Sequence, residues 1–142
     1  MTGELSEKGL VWKDEYSVGV VELDNQHKNL IGIISRLSEA VNRTSNEEEI
    51  RQIIADIIAY KKVHLATEEG YFHKFQYEGT AEHERRHHEF SERMEEFQKR
   101  QQENPTISIG FEIVDYLEDW FIQHLLRADK LYTECFHEHG LY

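Results

Sequence analysis

Histidines stand inside the apolar stripes of this chain, and that placement constrains its fold more than any other feature. Along four segments the inward residues recur in alternating steps of three and four, the spacing of one buried helical face. The first stripe is Leu23, His27, Leu30, Ile34, Leu37 and Val41. The second is Ile50, Ile54, Ile57, Lys61, His64, Glu68, Phe72 and Phe75. The third is His83, His87, Phe90, Met94 and Phe97. The fourth runs from Ile113 and Leu117 through Trp120, Phe121, His124, Leu125, Ala128, Leu131 and Tyr132 to Cys135. Four amphipathic helices with short links bury their stripes against one another, so the expected fold is all-α: an up-down-up-down four-helix bundle. The single proline, Pro105, suits a largely helical chain.

Local signals set the expected boundaries. Asp24 is an N-cap for the first helix. Ser45 with Glu48 three residues on forms a capping box for the second. Gly79 can take the left-handed conformation that closes it. The third helix starts near Thr80 and stops at Asn104-Pro105. The fourth starts near Ser108 and is closed by Gly140. Residues 1–23 lack a helical stripe and read as an extended N-terminal arm, anchored by Trp12 and punctuated by Gly19. The expectation is a single domain over 1–142, with the arm at 1–23 and the bundle at 24–139.

Charge narrows the partners. The 28 acidic residues against 16 basic ones give a formal charge of −12, which argues against binding nucleic acid or an anionic membrane through a basic surface. No run approaches the roughly 20 apolar residues of a membrane span, so no membrane insertion is expected. Met1 to Lys13 carry Glu4 and Glu7 and no apolar run, unlike a signal peptide. One cysteine, Cys135, allows no intrachain disulfide, and a cytoplasmic monomer is expected.

The polar residues at core positions carry the chemistry. His64 and Glu68 are four apart, as are His83 and His87, so each pair places two ligands one turn apart on one face. His27 comes from the first helix; His124 and Asp129 come from the fourth. Burying such groups without partners costs about 1–3 kcal/mol each, and more if charged. A metal satisfies them together. Hairpin register brings them level. A turn near Pro105 sets His87 beside His124. One near Glu78 sets Glu68 beside His87, and one near Thr44 sets His27 within a turn of His64. His124 and Asp129 fit less well, because five residues turn an α-helix by about 140°.

Five imidazoles and two carboxylates exceed the four ligands of a zinc site, and they are the wrong donors for calcium or magnesium. The set suits iron, with copper, nickel and cobalt compatible by ligand type. Two octahedral ions sharing both carboxylates would use three imidazoles on one and two on the other. A small oxygen bridge would then leave one open position.

The ordered pieces resemble the hemerythrin family, bacterial members most of all. They are Trp12, Tyr16-Ser-Val18-Gly19, Leu23-Asp24-Asn-Gln26-His27 with Leu30, and His64-x3-Glu68-Glu69. His83-x3-His87, Trp120-x3-His124 and His124-x4-Asp129-x2-Tyr132 follow. The resemblance spans Trp12 to about Tyr132. It implies a non-haem di-iron centre with an oxo or hydroxo bridge. In it, His83, His87 and His124 hold the filled iron, His27 and His64 hold the open one, and Glu68 and Asp129 bridge. It implies a dioxygen pocket lined by Leu30, Leu65, Trp120 and Leu125. It also implies reversible dioxygen binding for storage, delivery or buffering, with an oxygen-consuming enzyme as client. Two positions depart from the family pattern: Leu65 stands where Phe is common, and Tyr77-Glu78 where Tyr-Pro is usual. A smaller residue at 65 would enlarge the pocket and speed autoxidation.

On this reading the chain is an oxygen-binding protein and not an enzyme, though weak peroxidase-type activity is compatible with it. Two other functions compete. A ferritin-like oxidase needs two Glu-x-x-His pairs at one level. Glu84-x-x-His87 and Glu134-x-x-His137 exist, but register separates them by about 20 Å at 1.5 Å per residue. A sensor of oxygen or nitric oxide would signal through the arm. His73, His88, His137 and His139 read as peripheral, and Cys135 as an inert helix residue.

Overall fold

The structure, a computed structural model, describes residues 10–43 and 46–142, apart from the side chain of residue 107. Four long helices dominate: α1 (Val21–Asn42), α2 (Glu47–Phe75), α3 (Thr80–Glu103) and α4 (Ile107–Arg127). A 3₁₀ turn (Asp129–Tyr132) and a short helix α5 (Thr133–Glu138) complete the chain. The long helices pack in a ring, α1 and α3 each lying against α2 and α4. Among the described residues there are no strands, and the expected all-α, up-down-up-down four-helix bundle is the observed one.

The arm and the start of α1 differ from expectation. The segment before α1 contains a 3₁₀ turn, Asp14–Tyr16, and is not simply extended. Helix α1 begins at Val21, and Val20 at its N-cap makes no side-chain cap bond. Asp24 is therefore inside the helix. Its carboxylate reaches back to accept from Ser17 Oγ at 2.5 Å and Val18 N at 2.8 Å, tying down the arm instead of the helix start. Leu10, Tyr16, Val18 and Val20 bury their side chains, and Trp12 meets Tyr16 edge-on with centroids 5.9 Å apart.

The α2 ends also differ. The cap is Asn46, whose side chain accepts from Glu49 N at 2.8 Å. Ser45 of the expected capping box lies outside the described residues. At the other end Gln76, not Gly79, takes the left-handed conformation (φ 51°). Gly79 has φ −85° and precedes α3. A Cβ on Gly79 would stand 2.8 Å from the Tyr77 ring, so its lack of a side chain serves a close approach.

The fourth stripe does not form one helix. Helix α4 ends at Arg127, and Ala128 (φ −111°, ψ −51°) leads into the 3₁₀ turn before helix resumes at Thr133. The core is apolar toward the α1–α2 and α3–α4 links, where Leu37, Val41, Ile54, Met94, Phe97 and Ile113 are buried. The polar ligand set occupies the other half.

Candidate metal centre

Four helices and the 3₁₀ turn deliver seven side chains to one place. His27 (α1), His64 and Glu68 (α2), His83 and His87 (α3), His124 (α4) and Asp129 (3₁₀ turn) are all buried, none more than 4% exposed. They form two groups, each with its ligand atoms within 4.8 Å of one another. One group is His83, His87 and His124 with Glu68 and Asp129; the other is His27 and His64 with the same two carboxylates.

The carboxylates divide their oxygens between the groups. Asp129 Oδ1 lies 2.9 Å from both His83 Nε2 and His124 Nε2, while its Oδ2 lies 3.2 Å from His27 Nε2. Glu68 Oε1 lies 3.1 Å from His87 Nε2 and 3.7 Å from His83 Nε2. Its Oε2 faces His64 Nε2 at 3.4 Å and His27 Nε2 at 3.9 Å. Asp129 reaches this position because the helix breaks at Ala128. The 140° that an unbroken helix would impose between residues 124 and 129 never arises.

The donor set fits metal ions. Glu68 Oε1, Asp129 Oδ1 and His87 Nε2 are buried with no hydrogen-bond partner among the described residues. Nε2 atoms meet in pairs, His27 with His64 at 3.0 Å and His83 with His124 at 3.1 Å. Two ligands at right angles on bonds of about 2.1 Å stand about 3 Å apart, so these are the separations of neighbouring ligands on one ion.

Electrostatics sets the protonation of these groups in the metal-free cluster. Burial lowers the His64 pKa to about 4, so its imidazole is neutral at pH 7. Burial also lowers that of His124. His83 goes the other way, to about 9, because the adjacent Asp129 and Glu68 carboxylates outweigh its burial. Burial pushes the Glu68 carboxyl up, but the surrounding imidazoles, His64 first, hold it well below its ordinary value. Asp129 is pushed up by burial and by the Glu68 charge, and His124 and His27 more than reverse that. Both carboxylates are ionised.

Outer groups orient the imidazoles, and the spacing argument did not assign them. His64 Nδ1–H donates to Gln26 Oε1 at 2.7 Å, and Gln26 Nε2 donates to Thr67 Oγ1 at 3.2 Å. His87 Nδ1–H donates to Glu69 Oε2 at 2.8 Å. Each bond leaves Nε2 as the free lone pair. Tyr132 Oη donates to Glu68 Oε2 at 2.7 Å. The available signal was adjacency, since Gln26 precedes His27 and Glu69 follows Glu68.

A small cavity, with about 10 Å³ open to the centre of a water-sized molecule, lies beside the cluster, its wall packing on His27 through Phe121 and on His124 through Trp120. Leu30, Ile34, Ile57, Lys61, Trp120 and Phe121 are in its wall. Leu65 and Leu125 are buried but do not line it; Leu65 lies instead on a groove with Glu69 and His87. Lys61 is only 5% exposed, its Nζ 4.3 Å from the Trp120 ring centre and 5.2 Å from that of Phe90. Burial lowers its pKa to about 8, against the opposing pull of Asp129 and Glu68.

The peripheral histidines stay apart from the cluster. His73 Nε2 pairs with Glu84 at 2.7 Å on the surface, and His137 Nε2–H donates to the Gly19 carbonyl at 2.8 Å. Neither Glu-x-x-His pair of the competing oxidase reading enters the centre as a pair.

Comparison with known proteins agrees with this geometry. The chain is similar to a bacteriohemerythrin of Clostridium acetobutylicum, 26% identical over 127 residues that cover 87% of this chain and 98% of the relative. A bacteriohemerythrin of Pseudomonas aeruginosa is 28% identical over 126 residues, covering 89% and 80%. A crystal structure of a wild-type hemerythrin superposes with a TM-score of 0.80 at 25% identity, over 89% of this chain and 96% of that one. The profile of the hemerythrin HHE cation binding domain matches residues 18–135, and the chain therefore belongs to the hemerythrin family.

Proposed function

We propose that this protein holds two iron ions and binds dioxygen reversibly, for storage, delivery or buffering. The observation that carries the reading is the shared pair of carboxylates. Each turns one oxygen to a group of three imidazoles and the other to a group of two. His83, His87 and His124 would hold one ion, His27 and His64 the other, and Glu68 with Asp129 both. When bound, ferrous iron supplies electrons that dioxygen can take up and return. The unequal histidine count would leave the two-histidine side short of one ligand, and His27 on that side packs against the cavity-wall Phe121.

The chain's own residues support binding over turnover. The imidazoles are neutral donors that add little negative charge, so they favour the lower iron oxidation state. Leu30, Ile34, Ile57 and Phe121 make the cavity wall largely apolar and limit water. The lone Cys135 and the charge of −12 support a soluble monomer of a reducing cytoplasm that supplies an oxygen-consuming enzyme. Among the described residues no helix is long and apolar enough to cross a membrane.

The test is a visible spectrum of the reduced, iron-loaded protein under argon, then air, then argon again. A charge-transfer band that appears in air and fades on degassing is expected. A single conversion to a stable ferric form would replace oxygen carriage with redox chemistry or sensing.

A further inference from the structure

Lys61 is out of place in a pocket for a neutral ligand. Lysines usually bury the stem and keep the ammonium in water. Lys61 is 95% buried by its 5% exposure, and among the described residues it makes no ion pair. Its Nζ rests on the faces of Trp120 and Phe90. Among the described residues it carries the only charge in the cavity wall. The Asp129 and Glu68 carboxylates are near enough to favour its charged form, yet neither closes a salt bridge with it. An ammonium desolvated in this way is costly unless something anionic meets it.

The cavity wall meets His124 through the stacked Trp120, and three of its other residues lie beside the two-histidine side. Leu30 lies one turn beyond His27, Lys61 one turn before His64, and the cavity-wall Phe121 packs edge-on to His27 with centroids 5.9 Å apart. The aromatic faces hold the ammonium by cation–π attraction without neutralising it, so its charge stays available to a ligand. With about 10 Å³ open to the centre of a water-sized molecule, the space admits only a small ligand.

We propose that Lys61 makes this cavity selective for a small inorganic monoanion, by pairing its ammonium with a ligand bound on the two-histidine side. The inference rests on the di-iron reading above. It assigns Lys61 as the residue that decides which ligands that side prefers.

The test compares an anionic with a neutral ligand. Azide is titrated into the oxidised, iron-loaded protein and followed by its charge-transfer band. Nitric oxide is titrated into the reduced form. In Lys61→Met, which keeps the stem and loses the charge, azide should bind about 10- to 100-fold more weakly, the scale of one buried charge-assisted hydrogen bond. Nitric oxide affinity should stay within about threefold. Lys61→Arg should retain most of the azide affinity. Lys61→Gln serves as a second neutral variant if Lys61→Met loses its helical circular dichroism. A crystal of the wild-type azide complex should place Nζ about 3 Å from the anion.

Unchanged azide affinity in the neutral variants, or equal weakening of both ligands, would overturn the role of Lys61 and leave the di-iron centre standing. Absence of any azide band in the iron-loaded wild type would instead remove the di-iron reading, and this inference with it.

Discussion

Gln26 and Glu69 settle which nitrogen of His64 and of His87 is free to bind metal, since each accepts the Nδ1 proton at hydrogen-bond distance. Gln26→Leu should lower metal affinity about 10- to 100-fold, read by competition with a chromophoric chelator, while the circular dichroism stays helical. An unchanged chelator competition would mean that packing alone orients His64. Glu118 is a different case. It is 5% exposed with one carboxylate oxygen unpartnered among the described residues, and burial, helped by the Asp115 charge, raises its pKa to about 7. The folded state therefore holds the proton more tightly than the unfolded chain, and stability falls as pH rises from about 4.5 toward 7. Glu118→Gln should leave stability near pH 4.5 unchanged and raise it by about 1–2 kcal/mol at pH 8, measured by urea unfolding. Equal stability gains at both pH values would refute the assignment.

At the scale of elements, the helix ends carry consequences that the stripes do not. Asn46 caps α2 through the Glu49 amide, so Asn46→Ala should cost about 1 kcal/mol. Gln76 pays a steric penalty for its left-handed backbone at φ 51°. Gln76→Gly should offset part of it and raise stability by about 1 kcal/mol, or a melting temperature by about 2–4 °C. A lower melting point would show that the Gln76 side chain contributes more than its backbone costs. The expected Gly79 terminus rested on the general preference for glycine after a helix. Gly79 instead serves the close approach of the Tyr77 ring, which takes the space where a side chain at 79 would sit. The break at Ala128 is similar in kind. Apolar spacing continues through Leu131, Tyr132 and Cys135, so the stripe alone gives no reason to stop the helix.

For the whole molecule, the proposed metal couples to the fold. Seven buried ligand side chains from four helices and the 3₁₀ turn meet at one level, and their unpartnered atoms are satisfied together or not at all. On the proposed di-iron reading, stripping the metal with a chelator should lower the melting temperature by roughly 10 °C or more, by the linkage between ligand binding and folding. Equal melting points for loaded and stripped protein would refute that coupling. The arm is held to the C-terminal segment by Thr133 Oγ1, which donates to the Val18 carbonyl at 2.7 Å, and by His137 on Gly19. Gly19 has φ 74°, and a Cβ there would come within 2.9 Å of His137. Reading His137 as peripheral was sound for the metal centre and missed this contact, because residues 118 apart leave no periodic trace. The sequence by itself determined the helical stripes, the inward positions of His27, His64, Glu68, His83, His87 and His124, and the hairpin register that levels them. Those follow from steps of three and four and from loop position, which are local quantities. Only the tertiary structure decided that Asp129 turns inward through a helix break, that Lys61 enters the cavity while Leu65 does not, and that Gln26 and Glu69 orient the imidazoles. Each depends on where a side chain from another element comes to rest, and spacing along one helix does not contain that distance.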